Sequence, residues 1–494
     1  MDQSAIDALR QAPVAAGKLW IDGAPDDAAS GEEMEIRSPA DGSLLTTVPK
    51  GTGEDADRAI AAARRAFEDG RWSRMAPAAR KKIMLRWADL MEAEMLPLAV
   101  LGVRDNGTEI SMALRAEPGS AIATIRYYAE AADKLNGEIA PTPQGTLGLV
   151  HREPVGVVAA IIPWNFPLMI GAWKLGPALA AGNSVVLKPS ETASLSLLRI
   201  VELAHEAGMP PGVLNIVTGE GPVVGEALAR SMDVDVIVFT GSGATGRRLL
   251  HASAESNLKR CYLELGGKSA NVIFADAANL EEAAQVSAAG IFRNSGQVCV
   301  AGSRLLVEQS IHDDVVALMA EAAEKMKVGD PLDLTTQSGA VNNPSQLKRN
   351  LALVEAAQSE GGTVVTGGTQ ILAETGGTYM APTLVTGVSE SDTLAQEEVF
   401  GPVLAVTPFA TEDDAIRLAN STVYGLAGGV WTSSLSRAHR MIAAMKTGVV
   451  HVNTYGGPDV TVPLGGVKQS GNGHDKSMHA FDKYLDLKTA WIKL

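Results

Sequence analysis

Apolar positions recur at two different periods along the early part of the chain. Lys18–Asp22 and Leu44–Val48 are short strand-like runs within a turn-rich opening over residues 1–50. From Asp55 onward the spacing becomes helical. Ala56, Ile60, Ala63 and Phe67 fall on one face, and Ile83, Leu85, Trp87, Leu90 and Met91 form a second periodic set. Asp55 is the expected N-cap of the first of these helices. A further helix is predicted from about Ser120 to Leu135. Glu138–Val158 returns to β-type sequence, with Leu147–Val150 and Val155–Val158 as strands. Such a stretch outside a helical region is either an arm that pairs with another subunit or a local hairpin, and the pattern leaves both open.

From residue 155 to about 265, strands alternate with helices. The strands are Val157–Ile162, Ser184–Lys188, Val213–Val217 and Val234–Phe239; the helices are Leu175–Ala181, Leu195–Ala207 and Gly225–Arg230. Short apolar strands separated by helices predict a parallel sheet covered on both faces, with ligands at the carboxyl ends of its strands. A second run repeats the alternation. It has strands at Asn271–Phe274, Arg304–Val307, Leu404–Phe409 and Gly428–Thr432, and helices at Leu280–Phe292, Asp313–Met326, Gln346–Gln358 and Ala415–Asn420. The fold class is therefore α/β, with a domain boundary near residue 267. The apolar tail Lys483–Leu494 is expected to pack against something.

Composition narrows the function classes. At 494 residues, with 46% hydrophobic and 20% charged positions, the chain has the profile of an ordinary multi-domain globular protein. No apolar run reaches the roughly 20 residues of a membrane span. The opening Met1-Asp2-Gln3-Ser4 has neither the basic nor the apolar region of a secretory signal. Two cysteines exclude a disulfide framework and fit a reducing compartment, so a cytoplasmic location is expected. A net charge of -15 argues against nucleic acid as a partner. The histidines show no metal-ligand spacing, and no metal is expected.

Four segments carry candidate chemistry. Cys299 lies in Gly296-Gln297-Val298-Cys299-Val300-Ala301-Gly302, where glycines let the backbone bend and present a thiol; it reads as a nucleophile or as a small buried hydrophobe. Gly241-Ser242-Gly243-Ala244-Thr245-Gly246 matches GxGxxG directly after a strand, a turn that brings N–H groups to a phosphate. The acid that follows at the fingerprint distance is Glu264. Its place in Glu264-Leu265-Gly266-Gly267-Lys268, at the domain boundary, suits a cleft carboxylate that acts as a general base better than a ribose ligand. Glu191, beside Lys188 at an earlier strand end, is the better ribose candidate, and a carboxylate there favours NAD over NADP; a solvated turn is the plain alternative. In Pro163-Trp164-Asn165-Phe166-Pro167, two prolines fix Asn165, whose amide suits an oxyanion or an Asx-turn. Glu397-Glu398-Val399-Phe400-Gly401-Pro402 joins acids to an aromatic and a turn, which suits a sugar and a flat ring as well as a solvated face. Cys261, three residues before Glu264 in a strand, reads as core.

Together these segments, with Gly465-Gly466-Val467-Lys468-Gln469-Ser470-Gly471, resemble the aldehyde dehydrogenase superfamily. The resemblance covers most of the chain and implies an NAD-binding domain (1–137 and 155–267), a catalytic domain (268–475), and an oligomerisation arm and tail (138–154 and 476–494) that assemble a homotetramer or homodimer. It implies that Cys299 attacks an aldehyde, Asn165 holds the oxyanion, Glu264 activates water and Lys174 aids proton movement. Acid release is expected, without coenzyme A. Cofactor contacts are implied at the strand ends Ile161, Lys188, Phe239 and Thr240. They are also implied at Pro163, Trp164, Ser190 and Glu191, at Gly221 and Gly225, at Gly241 and Ser242, at Leu265 and Gly266, and at Glu398 and Phe400. The substrate would meet Phe166, Trp173 and Val298. The segments around Thr461–Gly466 and Gly471–Ala480 resemble bacterial γ-glutamyl-γ-aminobutyraldehyde and 4-guanidinobutyraldehyde dehydrogenases, which implies an ω-amino or guanidino aldehyde. Glu117 and Asp459 would then form an acid pair for a cationic tail, or else be ordinary surface acids. The chain departs from that group at His474, Val467 and Tyr455-Gly456-Gly457-Pro458, which keeps a broad-range or aromatic aldehyde as the alternative. Gly243 replaces a usual threonine. An idle NAD-binding structural protein is the non-enzyme alternative.

Overall fold

The computed structural model describes residues 2–457 and 459–494; Pro458, one of the departures from the resembled subfamily, lies outside them. Two seven-stranded sheets and one three-stranded sheet organise the chain. In the first, the order is 260–264, 236–240, 157–161, 184–188, 214–216, 19–21, 24–26; all its pairings are parallel except those made by Leu19–Ile21. Successive residues of Val157–Ile161 point into opposite cores. Val158 and Ala160 join one cluster, and Val157, Ala159 and Ile161 the other, so both faces are buried. Strand order reverses beside Val157–Ile161, the kind of switch point where such sheets take ligands.

The second sheet runs 363–366, 383–386, 403–409, 304–308, 270–273, 427–431, 449–452, parallel except at its first pair. The third is antiparallel. Thr146–Pro154 pairs along its whole length with the tail strand Leu485–Lys493, and on its other side with Glu138–Ala140. The tail therefore packs within its own chain, and Ile139, Leu487 and Trp491 remain exposed on that sheet.

Several boundaries differ from the sequence reading for identifiable reasons. The helix Gly53–Glu68 is capped by Thr52, and Asp55 completes a reciprocal capping box from the third helical position. The segment Leu175–Ala181, read as part of a helix, lies in one that begins at Pro167, a proline preset for a first helical turn, and runs to Ala181. It is buried nearly all round, which erases the amphipathic period used to find its start. The helices Gln3–Gln11 and Met95–Asn106 had no counterpart in the sequence reading.

Candidate active site

Register brings the strand ends together. Ile161 pairs with Lys188 and with Phe239, and Thr240 pairs with Glu264, so one carboxyl edge carries all five. On this edge Lys188 is buried. Its ammonium donates to the Pro189 carbonyl at 2.9 Å and approaches Glu191 Oε1 at 3.5 Å. Glu191 also accepts the Gly221 N–H. Ser190 turns the chain between them, with its hydroxyl 3.4 Å from that of Thr192. Gly225 lies flat beside the lysine; a Cβ there would stand 3.9 Å from Lys188 Cδ.

The strand Val236–Thr240 leads through Gly241 into the helix Gly243–Ala254. Gly241 has no room for a side chain, since a Cβ would meet the Phe239 ring at 2.4 Å. Ser242 caps the helix by accepting from Thr245 N–H. The buried Thr240 hydroxyl at the strand end has no hydrogen-bond partner among the described residues.

The Cys299 loop is held in a demanding shape. Asn294, Ser295 and Gly296 are all left-handed, with φ of 50°, 49° and 69°. Only the last is glycine, so the other two need support. Glu109 accepts the Asn294 N–H at 3.1 Å, Thr108 donates to the Asn294 side chain at 2.7 Å, and Ser295 donates to the Gly339 carbonyl at 2.7 Å. At Gly296 a Cβ would lie 2.0 Å from the Gly401 carbonyl oxygen. The buried Asn165 donates one amide hydrogen to Gln297 O at 2.8 Å, which ties Pro163–Pro167 to the thiol's loop and leaves its other amide hydrogen for a ligand.

Two carboxyl groups face the thiol. Burial, then Glu398, then Glu264 push the Cys299 thiol up to about 12. Glu398 accepts the Gly267 N–H at 2.8 Å and is pushed to about 7 by burial. Gly267 presses on the Cys299 backbone; a Cβ there would sit 2.4 Å from the Cys299 carbonyl oxygen. Glu398 also leaves no room at Gly266, where a Cβ would fall 2.1 Å from its Oε2, while Leu265 N–H is held by Ser470 O at 2.9 Å. Glu264 is 4% exposed, and its Oε1 has no hydrogen-bond partner among the described residues. Burial and Asp475 hold its carboxyl well above the usual range, against the pull of Lys174 and Lys483. Phe400, at φ 56°, lies edge-on to Trp164 with centroids 5.2 Å apart.

Toward the outside, Phe166 and Trp173 are buried, and Val298 is partly buried against the same core. Glu117 and Asp459 do not form a matched acid pair. Glu117 is 3% exposed and accepts the Met169 N–H at 2.8 Å, in the first turn of the helix bearing Trp173 and Lys174. Burial raises it to about 8, so at neutral pH it is an uncharged acid that caps the helix. Asp459 is exposed, and Thr461 holds its carboxylate below the usual range. Lys476 stands near both readings, its ammonium 5.6 Å from the Trp173 ring and within electrostatic reach of Asp459.

The arrangement is a thiol, an amide with a hydrogen to spare and a buried carboxyl beside the carboxyl edge of a parallel sheet. A model of the aldehyde dehydrogenase family matches residues 26–490. The chain belongs to the aldehyde dehydrogenase family. It is 49% identical to the NADP/NAD-dependent aldehyde dehydrogenase PuuC of Escherichia coli K12, over 97% of this chain and 96% of that one. Among solved structures, an indole-3-acetaldehyde dehydrogenase complexed with NAD+ is 51% identical, with a TM-score of 0.98 and full coverage of both chains. The γ-glutamyl-γ-aminobutyraldehyde dehydrogenase of Burkholderia cenocepacia J2315 is 46% identical, also at 0.98 and with full coverage.

For an aldehyde dehydrogenase, sequence reasoning assigns no role to Asp475, Lys483 or Glu109, and names Tyr455 only as a departure from the resembled subfamily. Tyr455 donates to Val300 O at 2.8 Å from a slot lined by Gly290, Gly302 and Gly429, where Cβ atoms would come within 3.0, 3.1 and 2.7 Å of it. Three glycines far apart in sequence give no local signal of such a slot. Among the described residues no group of His, Cys, Asp and Glu is arranged to hold a metal, and no helix is long and apolar enough to cross a membrane.

Proposed function

We propose that the protein oxidises an aldehyde to its carboxylic acid with NAD. The observation that carries this is the convergence of Cys299, Asn165 and Glu264 beside the strand edge that bears Lys188 and Glu191. NAD fits that edge: Glu191 is a carboxylate acceptor for two ribose hydroxyls and repels a 2′-phosphate, and the helix opening at Gly243 offers N–H groups to a diphosphate. Bound there, it supplies the hydride acceptor that converts a thiohemiacetal on Cys299 into a thioester.

The chain's own residues do the rest. The Cys299 thiol is uncharged at rest, so its attack on the carbonyl carbon needs a base to take its proton. The spare Asn165 amide hydrogen and the Cys299 N–H hold the oxyanion. Glu264 takes a proton from the water that cleaves the thioester, and Lys174 serves its proton traffic. In this reading residues 1–137 and 155–267 hold the cofactor, 268–475 carry the nucleophile, and 138–154 with 476–494 join subunits of a cytoplasmic dimer or tetramer.

The proposed substrate is an ω-amino or guanidino aldehyde from polyamine or amino-acid breakdown, supported by the exposed Asp459 carboxylate and the likeness to the γ-glutamyl-γ-aminobutyraldehyde dehydrogenase. A neutral or aromatic aldehyde is the second reading. It is favoured by the uncharged Glu117, by the Lys476 ammonium over Trp173, and by the indole-acetaldehyde relative. NADH formation from a cationic ω-amino aldehyde and a neutral one of equal length, side by side, separates them. A higher kcat/KM for the cation keeps the first reading, and an equal or lower one transfers the proposal to the second. Cys299→Ala is expected to bind NAD and make no NADH; turnover in that variant would sink the mechanism.

A further inference from the structure

Glu264 shares its buried surroundings with charges from two other segments. Asp475 lies between two ammonium groups: Lys174 bonds its Oδ2 and Lys483 its Oδ1, each at 2.5 Å. Lys174 comes from the helix Pro167–Ala181, and Lys483 ends the short turn Met478–Lys483. Lys174, Asp475 and Lys483 are 1%, 0% and 3% exposed. Besides the Cys299 thiol, which Glu264 also faces, the remaining titratable neighbours are three tyrosines and a lysine. Tyr128 donates to Ser477 O at 3.0 Å, and the Tyr484 ring lies 5.4 Å from the Lys483 ammonium. Both phenols are held far above their usual range by burial and by Asp475, so they stay neutral. Tyr262 faces Tyr484, and Lys476 lies beyond Asp475.

The charges can be counted. Asp475 stays ionised, since the two lysines hold it below its usual range despite its burial. One lysine balances Asp475. With only that lysine, an ionised Glu264 would leave a net negative charge in a dry interior, and the carboxyl would remain protonated. The second lysine brings the sum to zero when Glu264 ionises. We propose that Lys483 is a positioning residue for the reaction: its ammonium, held on Asp475 opposite Lys174, is the counter-charge that lets Glu264 act as a base. This rests on the reading of Glu264 as the base.

The acyl-enzyme step tests it directly. p-Nitrophenyl acetate acylates a cysteine with release of p-nitrophenolate; the acetyl group on Cys299 is then followed by intact mass as it hydrolyses over a range of pH. In the wild type the hydrolysis rate rises through the apparent pKa of the base. Lys483→Met removes a positive charge and is expected to move that limb up by about one pH unit or more. Asp475→Asn removes a negative charge and is expected to move it down. The double variant restores the sum and returns the limb close to the wild-type position. A role confined to packing would slow hydrolysis without opposite displacements.

Limbs that do not move, or move in the same direction, in variants with wild-type circular dichroism would overturn the proposal. If Lys483→Met does not fold, Asp475→Asn and the double variant still decide it, since the proposal requires their limbs to differ in the stated direction. Glu264→Gln is run alongside. A persistent acetyl group keeps the base reading, so that a flat Lys483 result then counts against the proposal alone. Wild-type hydrolysis in Glu264→Gln overturns the base reading and the proposal with it.

Discussion

Glu117 shows how far a residue's surroundings can change its meaning. As a sequence position it is a negative charge on a helix; buried and bonded to Met169 N–H, it is a neutral hydrogen-bond acceptor. The unfolded chain ionises this carboxyl near its ordinary value of about 4.5, whereas the folded protein keeps it protonated up to about 8. Between those values the folded state binds more protons than the unfolded one, so this group's contribution to stability falls as pH rises. Glu117→Gln keeps the acceptor and removes the titration. Its melting temperature relative to wild type is expected to rise from pH 5 to pH 8, and its KM for a cationic aldehyde to stay within about twofold of wild type; a severalfold higher KM would restore Glu117 as a charged substrate contact. Cys299, Asn165, Glu264 and Glu191, the residues of the proposed mechanism, stand out in the sequence because each sits in a short segment with glycine or proline at or near its edges. Asp475 and Lys483 do not. They stand among apolar and polar tail residues, and the bond from Asp475 to Lys174 joins positions 301 apart in the chain.

At the scale of elements, the active site depends on how closely two loops approach. The Glu264–Lys268 segment passes the nucleophile loop with only a glycine between them, and the atom a Cβ would meet at 2.4 Å is the Cys299 carbonyl oxygen. Backbone on one side and strand-anchored chain on the other leave no flexible side chain to yield. Gly267→Ala is therefore expected to displace the thiol and lower kcat at least about tenfold, a loss of roughly 1.4 kcal/mol in transition-state stabilisation, while the far-UV spectrum stays native. Unchanged kcat would show that the two loops slide freely. The alternation of strands and helices was readable because parallel strands buried on both faces are short apolar runs. The helix start at Pro167 was not, since burial on every side removes the amphipathic stripe.

Over the whole molecule, the last strand completes a sheet begun more than three hundred residues earlier, with nine residue pairs between Thr146–Pro154 and Leu485–Lys493. Ending the chain after Tyr484 leaves the strand Thr146–Pro154 with an open edge. Such a chain is expected to lose the proposed assembly or aggregate, as read by light scattering on a sizing column; an unchanged assembly mass would remove the tail from the proposed subunit contact. The same pairing orders events during synthesis. Thr146–Pro154 leaves the ribosome more than three hundred residues before the strand Leu485–Lys493 and waits, unpaired on that side, for that partner. Lys483 arrives with that partner, two residues ahead of it. A chain cut before Lys483 thus lacks both the strand that closes the three-stranded sheet and the proposed counter-charge of Glu264. On the proposed roles of this sheet and of Lys483, synthesis through the tail strand couples closure of the sheet to the competence of Glu264, and a product stopped before it is inactive without any separate inhibitor.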